Sequence, residues 1–180
     1  MTLLAVVLVP FALALPEAAP ASARDCQDQD LQPTTTNSVQ IRGALRCLIN
    51  EERRTRGKTA LAANRELRRA AESYAKLMVA QHFESHVSPA GSTVSSRIKK
   101  TAYLKGAGRW VVGENLGDGE DPRSTPHELM LAWMVSASHR AHILDGTFRD
   151  IGVGVVRGTP ALDGGPGATY CVEFGRKYKR

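Results

Sequence analysis

The side chains in this sequence best suited to hold a divalent ion or move a proton near neutral pH are five histidines and one glutamate. His86 follows the expected end of a helix and precedes a Ser88-Pro89-Ala90-Gly91 turn, which places it on a loop. His139 opens a short helical turn, from which its ring can face a cleft. Glu114 lies between Gly113 and Asn115 at the end of a strand, where no helical pattern accounts for it. Two histidines and a glutamate on three different elements make the ligand set of an open zinc site with one position left for water. No two of them form a local motif such as HExxH, so structural hydrogen bonding is the competing account of the same residues. The other histidines have plain explanations. His82 sits near a helix end, where an imidazolium suits the dipole, and His127 sits in a capping turn and is expected to be solvated. His142 follows His139 on the same turn, close enough to share a ligand or to bond nearby carbonyls.

Helices must position these groups. Ile41, Ala44, Leu45, Leu48 and Ile49 form an apolar stripe over 38–55, with Gly57 as the residue beyond its end. Asn64 caps a second helix over 64–81, with Leu67, Ala70, Ala71, Tyr74, Leu77 and Met78 on one face. Ser92 or Thr93 opens a short helix to Lys100. Thr125-Pro126-His127-Glu128 reads as a capping box with its proline at the first helical position, opening a helix over 126–136. Ser138 caps one further turn, to Leu144. Strand periodicity appears near 109–116, 150–157 and 168–175. Glycines 152 and 154, alternating with Ile151, Val153 and Val155, leave one strand face open to close approach by another element. Helices before and between three short strands predict helical layers packed on an antiparallel sheet.

Residues 1–23 read as a signal peptide. Leu3 to Leu15 is apolar but broken by Pro10, so it is too short to span a membrane, and Ala21-Ser22-Ala23 fits a signal peptidase before Arg24. No basic residue lies between Met1 and Leu8, which is unusual for such a segment. A polar leader over 24–37 and one domain over 38–180 follow. That length buries roughly 70% of the chain's extended surface, enough for a core without many staples. Loss of the leader peptide removes one charge, Glu17, and raises the net charge of +6 by one. The basic clusters at Arg53, Arg54, Arg56 and Lys58, at Arg65, Arg68 and Arg69, and at 176–180 read first as solvated helix faces and tail. In an exported chain they also favour anionic wall polymers or membrane surfaces over nucleic acid. The three cysteines lack zinc-knuckle or redox spacing; an oxidising compartment favours one pair, expected as Cys26–Cys47, with Cys171 left as a buried free thiol.

Five segments resemble the CAP superfamily of cysteine-rich secretory, antigen five and pathogenesis-related proteins, in its bacterial SCP-like extracellular branch. They are Cys47-Leu48-Ile49-Asn50-Glu51-Glu52-Arg53, the stretch from Phe83 to Thr93 around His86, Gly113-Glu114-Asn115-Leu116, Trp133-Met134 with Ser138-His139-Arg140-Ala141-His142-Ile143-Leu144, and Phe148 to Val155. Their order and spacing hold from about Ala44 to Gly175. The resemblance implies an α/β (α+β) fold, a three-layer α-β-α sandwich with a small central antiparallel sheet. It also implies that His86, Glu114 and His139 line a cleft that binds a divalent metal in some members. Met134, Val135 and Ser136 stand where animal and plant members carry a second cleft glutamate. His142 replaces a usual asparagine and Ala137 a usual glycine.

These features predict a secreted, non-enzymatic binding module with a metal-capable cleft, taking zinc that is not required for folding. The expected partner is an extracellular ligand, a lipid or an anionic cell-wall component; no nucleic acid and no transmembrane segment are expected, and the protein is expected to be a monomer. The alternative is a zinc-dependent hydrolase using His86, Glu114 and His139. It ranks second because a metallohydrolase needs a separate base, and Glu128 is accounted for by capping. A serine nucleophile at Ser85 or Ser138 has no motif behind it.

Overall fold

The computed structural model describes residues 26–161 and 166–179. The signal peptide expected over 1–23 lies outside the described residues. Helix α1 spans Ser38–Thr55 and β1 is the two-residue strand Ala62–Ala63. Then come α2 (Arg65–Ala80), α3 (Val94–Lys99), β2 (Ala107–Glu120), α4 (Pro126–Val135), α5 (Ala137–Leu144), β3 (Asp150–Arg157) and β4 (Gly167–Lys179).

The capping chemistry sets the helix ends. Gly57, at φ +65°, follows the end of α1. Asn64 Oδ1 accepts from the N–H groups of Glu66 and Leu67 at 2.9 and 3.2 Å. The Thr125 hydroxyl accepts from Glu128 N–H at 3.2 Å, while the full reciprocal box forms at Thr93 and Ser96. Ser136, rather than Ser138, precedes α5.

The sheet order is β1-β3-β4-β2. The three expected strands pair antiparallel, β3 to β4 and β4 to β2. The expected three-stranded antiparallel sheet is extended by a fourth strand, β1, which joins β3 in parallel. Two residues are too few to carry a readable alternation.

Alternation along the strands sorts the core into two layers. Ile151, Val153 and Val155 of β3 and Tyr170, Val172 and Phe174 of β4 pack with Ile41, Leu45 and Ile49 of α1, Trp133 of α4 and Ile143 of α5. Cys171 and Leu116 point the other way, onto Ala71, Tyr74 and Met78 of α2. A Cβ on Gly152 would lie 2.1 Å from the Arg68 nitrogen, and one on Gly154 would lie 2.4 Å from the Ala71 carbonyl carbon. The two glycines therefore let the α2 backbone rest directly on β3.

Arg53 corrects the reading of its cluster as a solvated face. It is fully buried, with Nε donating to Thr59 O at 2.8 Å and Nη1 to Ile143 O and Asp145 O at 2.7 and 2.9 Å. Its guanidinium satisfies carbonyls at the C-terminal end of α5.

The leader is fastened to the domain. Cys26 and Cys47 form the expected disulfide and Cys171 is a buried free thiol. Gln29 O accepts from His127 N–H at 3.0 Å, and Arg157 Nη1 donates to Pro33 O at 3.1 Å. The His127 side chain is exposed as expected, and its Nδ1 lies 2.9 Å from Asp30 Oδ1 at the surface. Among the described residues no helix is long and apolar enough to cross a membrane.

Candidate functional site

The site forms where two neighbouring residues of the edge strand β2 point to opposite faces. Glu114 faces the α2–α3 layer and is buried, whereas Asn115 faces α5. Glu114 Oε1 lies 2.8 Å from His86 Nδ1. Asn115 Nδ2 donates to the His139 carbonyl at 3.1 Å, and its Oδ1 lies 2.9 Å from His142 Nδ1. One dipeptide thus anchors both histidine-bearing segments at the same sheet edge. His142 is held by that contact and packs against Phe148 and Phe174 with ring centroids 6.4 and 6.3 Å away.

Beneath His86 lies a buried charge network built around Arg97. Arg97 Nη2 donates to Glu114 Oε2 at 2.5 Å, and Nη1 donates to the carbonyls of His86 and Ser92 at 3.2 and 2.9 Å. Its guanidinium stacks 3.4 Å above the centre of the Tyr74 ring. Cys171 Sγ donates to Glu114 Oε2 at 3.4 Å. Glu173 is fully buried; Arg97 Nε is 3.9 Å from its Oε1, beyond hydrogen-bond distance. Burial first, then the Glu114 carboxylate, push the Glu173 carboxyl well above its ordinary range, against the pull of Arg97. The surroundings of Glu173 thus favour its protonated form, while Arg97 pairs with Glu114. Burial also pushes the Cys171 thiol up.

His86 and Glu114 are brought together directly. His139 approaches from α5, with its ring centroid 6.0 Å from Trp133. Burial lowers its pKa, and the charges of His86 and His142 lower it further. Among the described residues, the metal-ligating atoms that lie within 4.8 Å of one another belong to Glu114, Cys171 and Glu173. That trio fits a metal poorly. Its thiol stays protonated, it is wholly buried, and Arg97 already supplies the positive charge.

A profile described as the cysteine-rich secretory protein family, CAP, matches residues 47–172. The chain belongs to this family. Its CAP domain is 29% identical over 138 residues to the uncharacterized protein YkwD of Bacillus subtilis, covering 77% of this chain and 50% of that protein. The chain thus spans about half the length of the curated relative it matches. An outer surface protein from Borrelia burgdorferi shares the fold at TM-score 0.64 and 22% identity, covering 82% of this chain and 98% of that one. An extracellular SCP-domain protein from Bacillus anthracis aligns at TM-score 0.59 and 25% identity, over 78% of this chain and 40% of that one. These likenesses agree with the three-layer α/β sandwich described above.

Three residues of the CAP site escape a reading by motif. Arg97 lies on a six-residue helix with no pattern to mark it. Glu173 sits in the β4 alternation as if facing solvent, but a sandwich covers both faces of that strand, which was a usable signal. Glu84, two residues before His86, lies beside Asp118. Partial desolvation and that neighbouring carboxylate raise the Glu84 pKa, while His86 lowers it.

Proposed function

We propose that the chain is an extracellular binding module whose cleft holds a divalent metal between His86 and His139. The reading rests on the 2.8 Å contact between His86 Nδ1 and Glu114 Oε1. A carboxylate there accepts a hydrogen bond from Nδ1–H, fixes the ring and its tautomer, and leaves the Nε2 lone pair free. The His86 side chain is 55% exposed, so that nitrogen has room for a ligand. The lowered pKa of His139 keeps its ring neutral, the form that binds metal. Glu114 is engaged by His86 on one oxygen and Arg97 on the other, which makes it a positioning residue rather than a third ligand. A bound zinc ion would supply Lewis acidity to a carbonyl or carboxylate on the ligand.

The relatives' own descriptions favour an extracellular setting, since the Bacillus anthracis protein is described as extracellular. Secretion after residue 23 and monomeric behaviour complete the reading. Because the cores on both sides of the sheet are formed by side chains alone, removal of zinc leaves the protein folded.

Zinc titration by calorimetry tests the proposal. One equivalent binds to the native protein, and binding is lost in His139→Ala and His86→Ala. Equal binding by all three proteins would remove the metal site. A second reading, a zinc-dependent hydrolase, is favoured by one observation. Glu84, with its raised pKa beside Asp118 and within the field of His86, supplies the separate base that motif reading lacked. Zinc-dependent turnover of peptide or ester substrates, abolished in Glu84→Gln with zinc binding retained, would shift the assignment to that reading.

A further inference from the structure

At the opposite edge of the sheet from the histidine cleft, α1 and the first turn of α2 enclose a groove of about 330 Å³ beside β1 and β3. Four arginines line it, Arg42 and Arg46 from α1 and Arg65 and Arg68 from α2, and no acidic residue does. We propose that this groove binds a phosphoryl group, as a phosphate mono- or diester.

The guanidinium groups keep donors to spare. Arg42 Nη1 bonds Ser38 Oγ at 2.9 Å, Arg68 Nη1 pairs with Glu72 at 2.7 Å, and Arg65 Nε lies 3.2 Å from Glu66. The exposed Arg46 side chain makes no hydrogen bond or ion pair among the described residues. Each guanidinium carries five N–H donors in a planar fork, so most remain available to a ligand. Arg42 feels the neighbouring cation, because burial first and then Arg68 lower its pKa, against the pull of Glu72. An anion seated among the four relieves that repulsion.

Shape and charge select the ligand class. A phosphoryl group presents several acceptor oxygens and matches bidentate arginine pairing. The first turn of the sixteen-residue α2 also opens here, adding the positive end of its dipole. The close approach of α2 to β3 at Gly152 holds the Leu67 and Arg68 backbone against the sheet, so the site is carried on packed elements. The groove shares no lining residue with His86, Glu114 or His139.

Calorimetric titration of pyrophosphate into the full chain at low ionic strength provides the test. Arg46→Ala combined with Arg65→Ala removes two exposed donors and weakens binding about tenfold or more, the loss expected for charge-assisted hydrogen bonds. Arg54→Ala combined with Arg56→Ala removes the same charge outside the groove and changes affinity less than about twofold, as expected for screened distant charge. His139→Ala binds pyrophosphate as the native protein does. Two further probes distinguish the source of the phosphoryl group. If phosphatidylglycerol vesicles, but not phosphatidylcholine vesicles, sediment the native protein and not the groove variant, the phosphoryl group is that of a lipid headgroup. If glycerol 3-phosphate alone shows that dependence, it is a soluble ester. Absence of pyrophosphate binding, equal weakening by the two double variants, or loss of binding in His139→Ala would overturn the proposal.

Discussion

Arg97 serves four neighbours at once. It neutralises Glu114, holds the His86 and Ser92 carbonyls, and stacks on Tyr74. Truncation leaves Glu114 as an uncompensated buried charge, so Arg97→Ala is expected to lose about 3–5 kcal/mol in urea unfolding. Glu173 behaves oppositely. Its folded pKa is raised, so its contribution to stability is complete below the ordinary value of 4.5 and is lost as pH rises toward the folded value. Glu173→Gln mimics the protonated acid. Its melting temperature should equal or exceed that of the native protein at pH 8, with the gap closing near pH 4; a lower melting temperature at pH 8 would refute the protonated assignment. His139 has a depressed pKa, so its contribution is present above its ordinary 6.5 and lost as pH falls through the folded value. Zinc affinity should fall over the same acidic range.

Contact between α2 and β3 is set by missing side chains. A methyl group on Gly154 meets the backbone of Ala71 and Glu72 at 2.4 Å, and no rotamer change can relieve a backbone clash. Gly154→Ala should therefore cost about 1–3 kcal/mol or more, read from the unfolding midpoint. The 152–154 glycine pattern, the Asn64 and Thr125 caps and the Cys26–Cys47 bridge were legible because each depends on local chemistry or on chain order. Arg53 and Glu173 were not, because their surroundings come from elements distant in sequence. Arg53 looks like one more basic residue in a basic run until α5 brings its carbonyls to it. The roles of Glu114 and Asn115 were half legible. Their spacing marked them, but only the strand's edge position shows that one holds His86 and the other holds α5.

On the scale of the molecule, the sheet order places the histidine cleft at the β2 edge and the arginine groove at the β1 edge, with the two cores between them. The disulfide ties the leader to α1, and backbone bonds to His127 and Arg157 hold it as well. Closing a loop of about 20 residues stabilises by roughly 3 kcal/mol in a chain-entropy account, less where the segment is already ordered. Cys26→Ser should thus lower the unfolding free energy by less than that amount, with the zinc stoichiometry unchanged. Two imidazoles, and not the buried Glu114–Cys171–Glu173 trio, are proposed to take the metal. Anomalous diffraction at the zinc edge from crystals of the zinc-loaded protein tests it most directly. One peak is expected about 2.0–2.1 Å from His86 Nε2 and from a His139 ring nitrogen, with Glu114 still on His86 Nδ1. A peak among Glu114, Cys171 and Glu173, or none near either histidine, would contradict it.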